Sequence, residues 1–360
     1  MEKARISGLQ LFMLMTGFLL GNRLIINPAT EAKNDGWIAI LISGAGGAIL
    51  LTLYTSISLL NPSRTLVDIL RHQFGKSLGN IIALFYIWYF IHLASLVFRN
   101  FGSFLVTTTY PRTPMEIIIA FFALTIIYAV NSGIEVMGRL SEILVPIVPV
   151  SSIIIGLSVV TTHDFTAFLP VLENGIKPVI KASLNLLSFP FGEAIVFLTI
   201  FPYLNKKKSL KKITALSVLL VTGLFLYIFF RNIIVLESNF IDQATFVPHV
   251  TSVLFPGINL EPLFDVIMII GGGIKIISTI YAAVMNLNQL IGAAYYRKFT
   301  TCIVMFSVVL SIWVYENIFE VFHWAGNIWF YYSIPFQIVI PVILLILSLV
   351  KKGRSQNEGT

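Results

Sequence analysis

The stretch LNLLSFPFGEAIVFLTIFPYL (184–204) is apolar and long enough to cross a membrane, yet it carries Pro190 and Gly192 near its middle. Proline removes a backbone donor and clashes with the carbonyl group one turn earlier, so we do not expect one regular helix here. A second stretch, LFMLMTGFLLGNRLII (11–26), is interrupted by glycines in the same way. These two stretches are the first and the sixth of ten apolar blocks in the chain.

Ten blocks divide into five and five, and five is odd, so the second set of crossings starts from the opposite side of the membrane. Blocks one and six then occupy matching positions in two inverted halves, residues 1–160 and 183–350. Paired interrupted segments at matching positions predict a binding site near the membrane midplane, as in secondary transporters. No stretch predicts a soluble domain, so we expect residues 1–360 to form a single transmembrane domain.

The composition, 57% apolar and 11% charged residues, indicates an all-α polytopic membrane protein. Each crossing needs about 20 mostly apolar residues. Segments three and eight are long, and we expect them to be tilted or to extend beyond the bilayer. The ten predicted segments lie near residues 7–29, 37–60, 79–108, 114–132, 137–160, 183–204, 213–236, 262–294, 299–317 and 328–350.

The distribution of Lys and Arg predicts the orientation, because cytoplasmic loops carry the excess of these residues. With a cytoplasmic amino terminus, four cationic residues lie outside (Lys33, Arg112, Lys177 and Lys181), and four more lie within spans. The remaining sixteen fall inside, so both termini are predicted to be cytoplasmic: Lys3, Arg5, Arg64, Arg71, Lys76, Arg139, Lys206, Lys207, Lys208, Lys211, Lys212, Arg297, Lys298, Lys351, Lys352 and Arg354.

Helix breaks inside a membrane free backbone carbonyl and amide groups, which are tolerated only where they line protein or a cavity. The half-helix after Pro190 would present amide groups and a positive dipole end, which suits an anionic group such as a carboxylate. In segment one the glycines alone could instead serve close helix packing. The predicted ligand-binding residues at the two breaks are Gly17, Gly21, Asn22, Phe189, Pro190, Phe191 and Gly192.

Two charged residues, Glu193 and Lys275, lie deep in their segments, where each costs at least about 2.5–3.5 kcal/mol. Neither can reach water by extending along the helix, so each needs a partner, a wet cavity or a shifted pKa. They either form a structural ion pair that joins two helices or line the path of a ligand or ion. We favour separate roles at a binding site, because Glu193 directly follows the Pro-Phe-Gly break.

Other residues are weaker candidates for the same pocket. Tyr281, Phe189 and Phe191 could form its walls, although aromatic residues are abundant here and ordinary packing competes for each. Ser95 and His92 lie in segment three, where a buried, hydrogen-bonded histidine is the simpler interpretation.

Several functions have little support in the sequence. Cys302 is the only cysteine, and the five histidines have no metal-ligand spacing, so neither a disulfide within the chain nor a metal site is expected. No cofactor motif and no pairing of a nucleophile with a base stands out, so we do not expect an enzyme. The net charge of +7 needs no nucleic acid, since basic inner loops facing an anionic leaflet explain it.

Over nearly its whole length the chain resembles the endospore germination permeases, the B subunits of spore germinant receptors. The resemblance rests on ISGLQLFMLMTGFLLGNRLI (6–25), on FPFGEAIVFLTIFPYL (189–204) followed by a basic loop, and on the ten-crossing plan. These proteins are similar to the amino acid–polyamine–organocation transporters, which have a leucine-transporter-like fold. The resemblance implies a nutrient-sensing subunit of the spore inner membrane that works with a larger A subunit and a lipoprotein C subunit.

The resemblance also implies where a small germinant, an amino acid or a sugar, would bind. The site would lie between the breaks of segments one and six and the facing sides of segments three and eight, where Ser95 and Ser278 are located. The chain lacks the Gly-Ser-Gly of many superfamily transporters at the first break. An active transporter of amino acids or related solutes is the alternative to a receptor subunit, since both need the same pocket.

Overall fold

The computed structural model describes residues 4–24, 28–157, 168–241, 246 and 261–357. These ranges are built mainly from α-helices. In chain order they are α1 (Gly8–Leu20), α2 (Gly36–Leu60), α3 (Leu66–Phe74), α4 (Lys76–Thr108), α5 (Met115–Asn131), α6 (Ile134–Leu144), α7 (Ile147–Leu157), α8 (Ile176–Leu186), α9 (Leu210–Ile241), α10 (Glu261–Ile291), α11 (Arg297–Trp313), α12 (Ile318–His323), α13 (Trp329–Ile334) and α14 (Ile340–Asn357).

Seven helical stretches in the described residues are long and apolar enough to cross a membrane, and α1 and α5 are shorter apolar helices. The chain is therefore an all-helical integral membrane protein, while the count of ten crossings stays a prediction. Segments three and eight are long as expected, because α4 has 33 residues and α10 has 31. The division into halves 1–160 and 183–350 also stays a prediction.

Two helices begin earlier than the hydropathy pattern indicated. α8 starts at Ile176 instead of residue 183, and the last helical stretch starts at Ile318 instead of residue 328. The added turns contain charged side chains, Lys177 and Lys181 in α8 and Glu320 in α12, that lower the local hydropathy without interrupting the helix.

The interior is organised around two long helices and two shorter central segments. α10 packs along α4 more extensively than any other pair of elements, and α1 packs against α6, α9 and α10. On the other side, α2 contacts α8, α9 and α14. All residues of the stretch Ser188–Phe201 are buried, as is most of the second half of α1. These two segments therefore form the centre of the molecule.

The backbone of both central segments departs from a regular α-helix. α8 ends at Leu186, a π-helical turn spans Leu187–Phe191 with Phe189 at φ −134° and ψ 101°, and a 3-10 helix follows over Gly192–Leu198. Pro190 accounts for the change, since it cannot donate to the preceding turn.

In the first segment, α1 runs without interruption through Gly17 to Leu20, and a 3-10 turn follows over Gly21–Leu24. Gly21 has φ +44°, a backbone conformation that side chains other than glycine rarely adopt. The interruption therefore begins at Gly21, and the prediction that it includes Thr16-Gly17 is wrong.

The amino-terminal residues close one end of the central segments. The Ile6 amide donates to the Tyr203 carbonyl at 3.0 Å, and the Asn205 amide donates to the Ile6 carbonyl at 3.0 Å. The start of the first segment is thus joined to the end of the sixth. The short helix α3 is amphipathic and buries Leu66, Val67, Ile69 and Leu70.

Candidate functional site

Glu193 and Lys275 form a buried ion pair. Lys275 Nζ lies 2.5 Å from Glu193 Oε2, and the two side chains are at most 1% exposed. Glu193 stands in the 3-10 stretch after Pro190, and Lys275 lies in the middle of α10. The sequence favoured separate roles for the two residues, but the structure places them in direct contact. The pair joins the irregular backbone of segment six to α10.

Phe189 and Phe18 surround the cationic side of this pair. Lys275 Nζ lies 4.0 Å from the centre of the Phe189 ring and 5.5 Å from that of Phe18. A second cation, the guanidinium of Arg23, lies 5.0 Å from the centre of the same Phe189 ring. Cation–π contacts of this kind contribute about 0.5–2 kcal/mol when they are shielded from water. Phe189 is thus in contact with two positive charges at the point where its own backbone is irregular.

Glycines allow segment one to approach α10 here. A Cβ on Gly21 would lie 2.7 Å from Lys275 Cδ, and a Cβ on Gly271 would overlap the carbonyl oxygen of Gly21. The lysine side chain therefore passes directly over the Gly21 backbone. α10 stays helical through Gly271–Gly273. Of these three glycines, Gly271 is the one at which the close approach leaves no room for a side chain.

The other side of segment six is held by a polar network from α2, α4 and the last segment. Gln337 Nε2 donates to the Ser188 carbonyl at 2.9 Å and to Tyr89 Oη at 2.8 Å. Tyr54 Oη lies 2.7 Å from the Gln337 carbonyl and 3.0 Å from the Gly192 carbonyl, both of which can accept its proton. Side chains thus bind two backbone carbonyls of the irregular stretch, those of Ser188 and Gly192.

Space beside Glu193 is small. A cavity of about 20 Å³ is bounded by Phe189, Glu193, Asn100, Trp329 and neighbouring apolar residues. This is close to the volume that one water molecule needs. Glu193 Oε1, Asn100 Oδ1 and Trp329 Nε1 are buried and have no hydrogen-bond partner among the described residues. A nutrient could enter only if these groups move apart, so the conformation is closed at the centre.

Several predicted residues make other contacts. Gly17 is inside α1, where a Cβ would be 2.7 Å from Val145 and 2.9 Å from Ile274, the residue before Lys275, so it serves helix packing. Phe191 points to the α2 side, against Gly47 and Phe225. Pro190 is buried between Phe189 and Phe191, and the side chain of Asn22 lies outside the described part of the structure.

The predicted serines of α4 and α10 donate hydrogen bonds to carbonyls of their own helices. Ser95 Oγ donates to the His92 carbonyl at 2.7 Å, and Ser278 Oγ donates to the Ile274 carbonyl at 2.8 Å. Tyr281 packs edge to face with Tyr203 and Tyr296. Because it follows Lys275 by six residues, it lies about 9 Å further along α10. The contacts therefore group Gly21, Phe189, Glu193 and Lys275, with Gly192 next to Glu193 in the chain.

Sequence reasoning missed Arg23, Tyr54 and Gln337 as parts of this region. Arg23 follows Gly21 by two positions and is a charged residue within a span, so its sequence signal was present. Tyr54 and Gln337 are ordinary polar residues in apolar helices, and nothing local links either of them to Pro190.

The fold is similar to that of solved secondary transporters. A substrate-bound Na⁺-coupled sialic acid symporter in an outward-open state has a TM-score of 0.70 and 12% identity, over 96% of this chain and 89% of its own. MhsT, solved in complex with L-phenylalanine, has a TM-score of 0.66 and 14% identity, over 97% of this chain and 99% of its own. The chain therefore shares the fold of these proteins.

Within that architecture the sequence identifies the family. The profile described as "Spore germination protein" matches residues 5–321. Spore germination protein KB of Bacillus subtilis (strain 168) is 32% identical over 99% of this chain and 98% of its own length. Spore germination protein YndE of the same organism is 24% identical over 99% of this chain and 98% of its own. The chain belongs to the spore germination protein family.

Proposed function

We propose that this protein is the B subunit of a spore germinant receptor, which binds a small nutrient at the centre of its membrane domain and triggers germination. The observation that carries the proposal is the Glu193–Lys275 pair at the irregular backbone of segment six, in a member of a germination family with a transporter fold. The proposed architecture has ten crossings in two inverted sets of five, with segments one and six broken. The nutrient, an amino acid or a sugar, would bind between Gly21, Phe189, Gly192 and Lys275.

The closed centre supports a signalling mechanism based on conformational change. A ligand shifts an equilibrium only by as much as it binds one state better than the other. Because the cavity beside Glu193 is about 20 Å³, a nutrient favours a state in which the ion pair and Phe189 have moved apart. Gln337 and Tyr54 bind the same backbone, so this movement would reach α2 and the last segment.

The setting of the protein follows from the same proposal. It would lie in the spore inner membrane with both termini cytoplasmic and would assemble with an A subunit and a lipoprotein C subunit. We expect no enzymatic activity, no cofactor and no nucleic-acid partner.

The second candidate is an active transporter of amino acids or related solutes, which the likeness to sialic acid and L-phenylalanine transporter structures favours. The discriminating experiment uses purified protein in liposomes with ion gradients, and radiolabelled nutrients that stabilise the protein in a thermal-shift screen. A receptor subunit binds a nutrient without accumulating it against its gradient. Robust uphill accumulation would favour the transporter, and failure of the intact spore to respond to any bound nutrient would reject the receptor.

A further inference from the structure

The charges in the central site do not balance among the side chains that touch. Arg23 is 8% exposed, and Lys275 and Glu193 are fully buried. The single carboxylate is already engaged, since Glu193 Oε2 lies 2.5 Å from Lys275 Nζ. Two cations thus share one buried anion, and a buried charge without a counter-charge is strongly unfavourable.

Arg23 is the group left without a close partner. Its Nε is buried and has no hydrogen-bond partner, and Arg23 forms no ion pair within 4 Å among the described residues. The guanidinium group of Arg23 lies over the Phe189 ring. Glu31 contributes a favourable field at Arg23. However, Glu31 is exposed, and its Oε1 already accepts a hydrogen bond from Asn185 at 2.9 Å.

The position of Arg23 makes it available to a ligand in the site. Arg23 and Lys275 both lie over the Phe189 ring, at 5.0 and 4.0 Å from its centre. Any movement of Phe189 that opens the centre therefore uncovers two cations at once. A guanidinium presents a planar fork of donors that matches a carboxylate in two parallel hydrogen bonds, which a neutral hydroxyl cannot reproduce.

We propose that the nutrient carries a carboxylate, which Arg23 binds together with Lys275 when Phe189 moves aside, and that Arg23 determines this specificity. This inference rests on the proposed binding function and names its substrate class. Side-chain cations would then bind the carboxylate, in place of free backbone amides at the helix break. Glu193, relieved of Lys275, then becomes available for a hydroxyl or ammonium group of the same ligand.

The test measures binding to the purified full-length protein by thermal shift and calorimetry. The probes are three matched pairs: L-alanine and L-alaninamide, L-lactate and L-lactamide, and D-gluconate and D-glucose. We expect at least one carboxylate to bind and its neutral partner to bind much less. Arg23→Gln should weaken that carboxylate about 10- to 100-fold, the value of a lost charged hydrogen bond, and Arg23→Lys should restore part of the affinity.

Arg231→Gln is the matched control, because Arg231 is another buried cation, 7% exposed, whose guanidinium is bound to Asn232 Oδ1. It should leave carboxylate affinity unchanged. The inference is overturned if no carboxylate of the panel binds, or if the neutral partner binds as tightly. It is also overturned if Arg23→Gln weakens both members of a pair equally, which indicates a gating or structural role. If a carboxylate binds as described but does not trigger germination, the receptor function fails and the carboxylate site stands.

Discussion

Removing both members of the Glu193–Lys275 pair should destabilise the protein much less than the sum of the two single removals. Breaking a buried ion pair by removing one partner costs about 3–5 kcal/mol, because the remaining charge is uncompensated. In Glu193→Gln, the amide oxygen can still accept from Lys275, and the ammonium keeps its contact with Phe189 at 4.0 Å. We therefore expect about 3 kcal/mol for this change, at the low end of the range.

Lys275→Met should cost more, about 5 kcal/mol, since it leaves a buried carboxylate whose Oε1 already has no hydrogen-bond partner in the described structure. The double variant removes both charges of the pair and should cost about 5 kcal/mol. Most of this cost comes from imperfect packing and from the loss of the electrostatic attraction between Glu193 and Arg23. The expected coupling energy is then about 3 kcal/mol, at the upper end of values for residues in contact.

The assay is reversible unfolding in mixed micelles, followed by tryptophan fluorescence, for the wild type, both single variants and the double variant. Nutrient response is measured on the same four proteins. A cycle of Glu193→Gln with Arg231→Met serves as the control and should be additive, because Arg231 is bound by Asn232. Coupling below about 0.5 kcal/mol would refute the ion-pair reasoning. Strong coupling with a normal nutrient response in the double variant would show that the pair is only structural.

Three further predictions concern the backbone around the site. Gly192→Leu should abolish nutrient response while the protein still inserts, since a Cβ there would overlap the Gln337 amide. Gly223→Leu is the control, because a Cβ at Gly223 would meet nothing within 4 Å. A normal nutrient response in Gly192→Leu would reject the site. Tyr54→Phe should cost about 1–3 kcal/mol in unfolding free energy, because two buried carbonyls lose their donor, and no change would show that water replaces it. Ile6→Pro removes the amide that donates to Tyr203, so the end of the molecule that holds residues 6 and 203 should become more sensitive to protease, and equal cleavage rates would argue against a closing role.

The sequence predicted what depends on local chemistry and on the membrane. A helix needs about 20 apolar residues to cross the hydrocarbon core of a bilayer, so apolar blocks of that length are visible without a structure. The interruption of segment six was predictable from Pro190, whose missing donor acts within one turn. The deep positions of Glu193 and Lys275 were equally visible, since a charge at that depth needs an explanation. Helix ends were less accurate, because charged residues such as Lys177 continue a helix past its apolar run.

Only the tertiary structure decided which of these residues meet. Tyr54 and Gln337 are 283 positions apart, yet one hydroxyl binds the last segment and segment six together. The packing of the helices decides that Glu193 pairs with Lys275, that Tyr281 packs with Tyr203 and Tyr296, and that Arg23 lies over the Phe189 ring. Packing depends on the combined shapes of many side chains distant in sequence, and hydrophobic periodicity carries no information on that combination.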